Sequence, residues 1–292
     1  MGIPYEVAFW DSIYRNKKAL ASTLAFSHYG RELTLDGFDA ASFLLAQPAP
    51  EEAKILDIGA GMSYMPGEYI LDETGTKRPL NIHYIDPLAS YYNDIARERK
   101  VDVPEVEFGM MECLSAFYPE HDITLAIIQN ALDHSANPVK GILEALNCLQ
   151  QGGVLYLNHH PNEAEYEDYR GFHQFNITID EQELIIWNRK ETHNINTIVK
   201  DFAQVKTLFV GKNPVAILTK TAEVPAALLD HEQDIRILSK TLLDLTREMN
   251  DAGKMKQYHR QYRYYRFVQR LSKSFSWQTR QNIKNLIKKF KI

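Results

Sequence analysis

Nine residues, Ile55-Leu56-Asp57-Ile58-Gly59-Ala60-Gly61-Met62-Ser63, constrain the fold of this chain more than any other stretch. An aliphatic run broken only by one acid reads as a buried strand, and it passes without a spacer into a glycine-rich turn. Gly59 can take backbone angles that a Cβ forbids, and Gly61 lets the chain approach a ligand with no side chain between them. A doubly wound α/β sheet builds its ligand site in this way, over the carboxyl end of the first strand. The third glycine of a dinucleotide-type G-x-G-x-x-G is missing, because Tyr64 stands there. Asp57 sits two residues before the first glycine, and a carboxylate at that point suits a cationic ligand better than a pyrophosphate.

Further segments follow at regular intervals. Asn81 to Ile85 reads as a second strand ending in Asp86, Val106 to Phe108 as a third, and Ile123 to Ile128 as a fourth that leads into Gln129-Asn130-Ala131-Leu132-Asp133-His134. Pro138 to Leu149 reads as a helix with Gly152-Gly153 as its terminator, and Val154 to Asn158 as the fifth strand. Gln204 to Val210 and Pro214 to Thr219 form a closing pair around a turn at Gly211 to Asn213. Strands alternating with helical stretches argue for a parallel sheet with crossover helices.

In this order and spacing, over roughly residues 50 to 220, the segments resemble the class I S-adenosylmethionine-dependent methyltransferases. The resemblance implies a Rossmann-like α/β fold with a seven-stranded sheet in the order 3-2-1-4-5-7-6, and S-adenosylmethionine as cofactor. It implies that Asp57 orients the methionyl ammonium, that Gly59, Ala60 and Gly61 pass beneath the cofactor, and that Asp86 takes both ribose hydroxyls. Gly109-Met110-Met111-Glu112 fills the place of the family's adenine segment, with Met110 where an aspartate is common. Met111 is then the residue to pack on the ring, and Glu112 or a backbone group the one to read its edge. Gln129 and Asn130 complete the cofactor set, and Asp133-His134 stands where the family often has an acid and a histidine facing the methyl group.

Three regions are expected: a helical lid region over 1–50, a methyltransferase domain over 51–222 and a helical basic extension over 223–292. In the first, Phe9, Trp10, Ile13 and Tyr14 fall on one helical face. Within the second, residues 161–195 interrupt the sheet. An acidic, Tyr-rich stretch from Glu163 to Tyr169 precedes two alternating segments, Phe175 to Ile179 and Glu183 to Trp187, which read as a β-hairpin at the ligand-binding edge. Tyr169-Arg170-Gly171-Phe172-His173-Gln174-Phe175-Asn176 is similar to a segment of methyltransferases in bacterial surface-glycan pathways.

Methyl transfer from a sulfonium needs alignment above all, but a hydroxyl acceptor gains about 10²- to 10⁴-fold from a general base. The candidates are Asp133 and His134 after the fourth strand, His159 and His160 after the fifth, and His173 in the insertion. Neighbours on a strand point oppositely, so only one of His159 and His160 faces the pocket, and one of that pair is the favoured base. Asp133, His134, His159 and Glu163 could converge on a divalent ion, but nothing in the sequence fixes that geometry and no metal ligand is assigned.

Cys113 and Cys148 lack the spacing of a metal knuckle or a disulfide framework, which fits a reducing cytoplasm. No export signal or stretch of about 18 apolar residues is visible. Charge is divided: 12 of the 33 basic side chains and none of the 38 acidic ones lie in 252–292, leaving the first 251 residues near −17. Leu228 to Met249 has the pattern of an amphipathic helix, and the final helix sets Ile283, Leu286, Ile287 and Phe290 opposite Lys284, Lys288, Lys289 and Lys291. An anionic membrane surface at the inner face of the cytoplasmic membrane is the favoured partner of that tail, ahead of nucleic acid or the acidic body itself. The resulting expectation is O-methylation of a sugar or glycolipid intermediate of surface-polysaccharide synthesis. The alternatives are an RNA methyltransferase gripping its substrate with the tail, and a non-catalytic scaffold. A homodimer is left open.

Overall fold

The computed structural model describes residues 3–26, 30–64, 66–169 and 172–229, together with Leu243, Lys256 and Arg260. The tail helix expected over Leu228 to Met249 and the basic aromatic segment after it lie almost wholly outside the described residues. The chain begins with helices α1 (Ile3–Arg15), α2 (Lys17–Phe26) and α3 (Ala40–Leu45), the last capped by Asp39. Strand β1 (Lys54–Ile58) follows, then a hairpin of β2 (Tyr69–Leu71) and β3 (Lys77–Pro79), then β4 (Asn81–Asp86) and α4 (Ala89–Arg99). After β5 (Glu107–Phe108) come β6 (Ile123–Gln129), α5 (Pro138–Cys148) and β7 (Leu149–Asn158). The insertion contributes α6 (Glu163–Tyr166), β8 (Asn176–Asp180), β9 (Glu183–Trp187), β10 (Thr192–Asn194) and α7 (Ile195–Val199), and β11 (Ala203–Val210) and β12 (Asn213–Lys220) close the sheet.

The seven-stranded sheet runs β11-β12-β7-β6-β1-β4-β5. Numbered by its own strands, this is the expected 3-2-1-4-5-7-6 order. β12 pairs antiparallel with both neighbours, while β4, β1, β6 and β7 are parallel. Alternation along each strand sends residues to opposite faces. Leu56, Ile58, Ala126, Ile128, Leu155, Leu157, Ala216 and Leu218 pack on the side of α5 and the insertion. Ile55, Leu125, Ile127, Val154, Tyr156 and Ile217 pack against Leu33, Leu35, Ala40 and Leu44 from the N-terminal region. Both faces are covered, which is why β1 and β6 carry almost uninterrupted apolar runs.

Two elements depart from the sequence reading. The first crossover, from β1 to β4, holds the β2–β3 hairpin and no helix among its described residues. Asp72 sets the hairpin's tip by accepting from the backbone N–H groups of Thr74 and Thr76, and Glu32 bridges to Tyr69 at its edge. Gly152-Gly153 does not terminate α5. That helix stops at Cys148, and β7 begins at once, with the glycines in a bulge between the pairs Ile123–Leu149 and Leu125–Val154.

The insertion forms its hairpin as expected, with β10 added as a third strand. Glu181 and Gln182 connect β8 to β9 with φ of 46° and 69°. Both values are positive, the geometry of the tight hairpin turn that favours Asn-Gly, so both side chains are strained there. Gln182→Gly is therefore expected to stabilise the protein by about 1 kcal/mol, seen as a rise of about 2–4 °C in Tm by differential scanning calorimetry.

Candidate functional site

The carboxyl ends of β1, β4, β6 and β7 carry the site. The glycine turn after β1 is fastened to the end of β4: Gly59 and Ala60 donate their N–H groups to the Ile85 carbonyl at 2.7 and 3.1 Å, and Gly61 donates to Asp86 Oδ2 at 3.2 Å. Gly59 and Gly61 have φ of +73° and +56°, so a side chain at either is strained. Space closes Gly59 to one as well and leaves little room at Gly61. A Cβ on Gly59 would lie 2.4 Å from the Ala131 Cβ, and one on Gly61 would lie 3.1 Å from the Trp10 ring.

That ring belongs to α1, which lies across the turn. Tyr14 Oη donates to the Met62 carbonyl at 3.0 Å, Trp10 meets Tyr92 edge-on, and Asp11 is gripped by Arg15 and Arg99. Trp10 Nε1 donates to Glu6 Oε1 at 2.9 Å. Glu6 escaped the sequence reading. Its signal was position: Glu6, Trp10 and Tyr14 follow one another at four-residue spacing, placing an acid on the inward stripe of the helix.

Three carboxyls in this region are held above the ordinary carboxylate range. Burial, then the nearby Asp86, pushes Asp57 up to about 8. Asp57 is 3% exposed and its Oδ2 has no hydrogen-bond partner among the described residues. Burial raises Asp86 to about 6 against the pull of the Leu88 and Gly61 N–H groups, and burial with Asp86 raises Glu6 to about 7. Buried acids kept partly protonated, one of them unpartnered, form a cradle suited to a cation that would draw out their charge.

The segment Gly109 to Glu112 packs between α5 and the glycine turn. Met111 packs against α5 where Gly141 makes room, since a Cβ on Gly141 would lie 3.0 Å from Met111 Sδ. The Met111 methyl also reaches toward Gly59, within 3.7 Å of where its Cβ would be, so Met111 stands beside the glycine turn. Glu112 Oε1 accepts from the N–H groups of Ala136 at 2.7 Å and Asn137 at 3.4 Å, closing the loop before α5. Asn130, at φ +50°, ties two strand ends together, its N–H going to the Asn158 carbonyl and its Oδ1 accepting from the His160 N–H. Gln129 is the last residue of β6, paired with Asn158.

Among the base candidates, three converge. His173 Nδ1 lies 2.7 Å from Asp133 Oδ2 and 3.2 Å from His134 Nε2, and His134 stacks on Phe172 at 5.6 Å. A backbone bond from the Gln174 N–H to the Asp133 carbonyl ties the insertion to the loop after β6. Burial works against the Asp133 charge, but His134 and His173 outweigh it and hold the carboxyl below its usual range. Burial likewise opposes the His173 cation, and the bond to Asp133 prevails and raises it. His134 is lowered by burial.

His159 and His160 do part company as strand neighbours must. His159 is 1% exposed with both ring nitrogens lacking a partner among the described residues, and burial drives it down to about 4. His160 is exposed and turns to Asn213 at 3.4 Å, toward β12. Of the two, His159 is sealed inside and weakly basic and His160 turns toward β12, while Asp133, His134 and His173 meet beyond the end of β6.

No protein-family model and no curated relative matches the chain. Among solved structures, a CurJ carbon methyltransferase is 16% identical with a TM-score of 0.40, covering 61% of this chain and 51% of that one. An O-methyltransferase family protein from Burkholderia thailandensis is 10% identical with a TM-score of 0.39, covering 73% and 59%. A T. thermophilus 16S rRNA N2 G1207 methyltransferase, solved with AdoMet and guanosine, is 13% identical with a TM-score of 0.34, covering 67% and 42%. The chain thus matches about half the length of each of these three.

Asp57 provides a direct test of the acidic cradle. With its folded value near 8 and its unfolded value near 4, the native state binds the extra proton between those limits, so stability falls as pH rises from about 4 to 8 and levels off above. Asp57→Asn removes this loss. Its Tm is expected to exceed that of the parent protein by about 2–6 °C at pH 8 and to approach it at pH 4.5, measured by thermal denaturation.

Proposed function

We propose that this protein is an S-adenosylmethionine-dependent methyltransferase acting on a hydroxyl of a sugar or similar polar acceptor. The observation that carries the reading is the pairing of two half-sites on adjacent strand ends. On β1 and β4 a glycine turn sits with buried Asp57 and Asp86; on β6 the Asp133–His134–His173 group faces the insertion. Glu6 feels the charges of both Asp86 and the Asp133–His173 pair, so it lies near both half-sites.

Asp57 would hold the methionyl ammonium and Asp86 the ribose hydroxyls, with Gly59, Ala60 and Gly61 beneath and Met111 beside the adenine. Bound there, the cofactor supplies a methyl group already activated as a sulfonium. Trp10 and α1 cover the turn and keep water from it. Asp133, His134 and His173 would lie against the acceptor hydroxyl and favour its ionisation.

A sugar acceptor is supported by a groove of about 640 Å³ on the insertion, lined by Asn162, Glu165, Tyr166, Tyr169, Trp187 and Arg189. Tyr166 is 71% exposed, and the Arg189 guanidinium lies 4.2 Å over the Tyr169 ring. Exposed aromatic faces with polar neighbours suit a sugar ring, which has one apolar face and hydroxyls at its rim. α6 connects the groove to the acceptor group, since Glu163 Oε2 lies 4.0 Å from His173 Nδ1. The charge of the tail supports attachment to an anionic membrane surface, where a lipid-linked acceptor would be found. None of the described helices is long and apolar enough to cross a membrane.

Calorimetric titration with S-adenosylmethionine tests the cofactor half. Micromolar binding is expected, abolished in Asp86→Ala, and strengthening as pH rises from 5.5 to 8 by up to about tenfold per unit for each proton released by Asp57, Glu6 or Asp86. Absence of binding at every pH would overturn the reading. The acceptor half is tested by kinetics: Tyr166→Ala is expected to raise the acceptor KM about tenfold with kcat nearly unchanged, because the ring is 71% exposed on the groove.

A further inference from the structure

Three atoms of the kind that bind metals meet at one point beyond the end of β6. Their separations are 2.7 Å between His173 Nδ1 and Asp133 Oδ2, 3.2 Å between His173 Nδ1 and His134 Nε2, and 3.6 Å between His134 Nε2 and Asp133 Oδ2. Two ligand atoms each about 2.1 Å from one ion stand about 3.0 Å apart at an octahedral angle and about 3.4 Å apart at a tetrahedral one. The three observed edges bracket those values, so one ion can sit over the triangle with its remaining positions open. Hydrogen bonding serves the triangle less well. A proton on His173 Nδ1 satisfies Asp133, and His134 Nε2 then faces that same nitrogen and a carboxylate oxygen beyond hydrogen-bond length.

Unpartnered polar atoms around the triangle are a separate observation. Asp133 Oδ1 and both ring nitrogens of His159 are buried with no hydrogen-bond partner among the described residues, and His159 is close enough to feel the Asp133 charge. Orphaned buried polar atoms in a native protein call for a ligand, ion or water. At the rim, Glu163 brings a second carboxylate to 4.0 Å from His173 Nδ1.

We propose that Asp133, His134 and His173 bind one divalent transition-metal ion, with Glu163 at its open side. Two imidazoles and a carboxylate select zinc, manganese, iron(II) or cobalt over magnesium or calcium. Resting on the methyltransferase reading, an open position on the ion takes the acceptor hydroxyl and lowers its pKa. The hydroxyl proton passes to Glu163, and the oxygen forms its bond to the methyl group as the C–S bond breaks and its electron pair stays on sulfur.

The test uses the full chain, stripped with a chelator and titrated with Co²⁺ by visible absorption, with Zn²⁺ as competitor and S-adenosylmethionine calorimetry on the same samples. One Co²⁺ per chain is expected, displaced by Zn²⁺, with affinity about 100-fold weaker or worse in Asp133→Asn and in His173→Gln and unchanged in His160→Gln. Absence of a saturable band, or equal binding in all variants, would overturn the site. Should Asp133→Asn fail to fold by circular dichroism, the partly exposed His173→Gln decides. Cofactor binding without Co²⁺ binding removes the metal site and leaves the methyltransferase reading intact; Co²⁺ binding lost in the variants, with no cofactor binding, does the opposite.

Discussion

The carboxylate of Asp86 and the carbonyl of Ile85 hold the turn after the first strand in place. Together they receive three consecutive N–H groups from Gly59, Ala60 and Gly61, and Asp86 also takes the Leu88 N–H at 2.8 Å. In many doubly wound folds a helix begins at this turn and its first N–H groups face the ligand. Here the chain goes on to a hairpin, and a neighbouring strand satisfies those donors instead. Asp86 therefore has two tasks: one oxygen steadies the turn and the other ends β4, while the whole group stays close enough to Asp57 and Glu6 to raise both. Among the described residues no helix begins at this turn, and burial with the charge of Asp86 raises the acids Asp57 and Glu6 beside it.

Much of the scaffold could be read from the chain because its strands are short aliphatic runs with a polar or glycine stop, and their order follows from their spacing. The β8–β9 hairpin was legible through strict alternation across Asp180-Glu181-Gln182, and so was the opposite facing of His159 and His160. What escaped reading has identifiable causes. The β2–β3 hairpin is built from three-residue strands, one of them Lys77-Arg78-Pro79 and fully exposed, which carry no periodicity. The glycines at 152 and 153 resemble a helix terminator, yet the β6 partner strand pulls β7 back to Leu149 and leaves them in a bulge. Glu6 is not singled out in the sequence, because its significance depends on what α1 lies against.

The His134, His159 and His173 imidazoles come from three separate segments, so only the folded chain decides which of them meet. The Gln174 backbone bond to Asp133 and the stacking of Phe172 on His134 set the outcome, bringing the insertion's histidine to the end of β6 and leaving His159 behind it. Asn176, wholly buried, secures the insertion in turn by accepting from the Glu165 N–H and donating to Tyr169 Oη. The aromatic groove and the histidine group are thus two sides of one small unit, and a shift in α6 would be felt at both.

The position of α1 governs timing as well as shape. Trp10 rests on Gly61, Tyr14 is bonded to Met62, and Asp11 is paired with Arg99 of α4, so several contacts together hold the helix over the turn. A ligand lying on that turn would have Trp10 and α1 beside it. For a cofactor held there as proposed, departure would wait on movement of the N-terminal helix, and the pace of that movement rather than the chemistry beneath it would limit turnover.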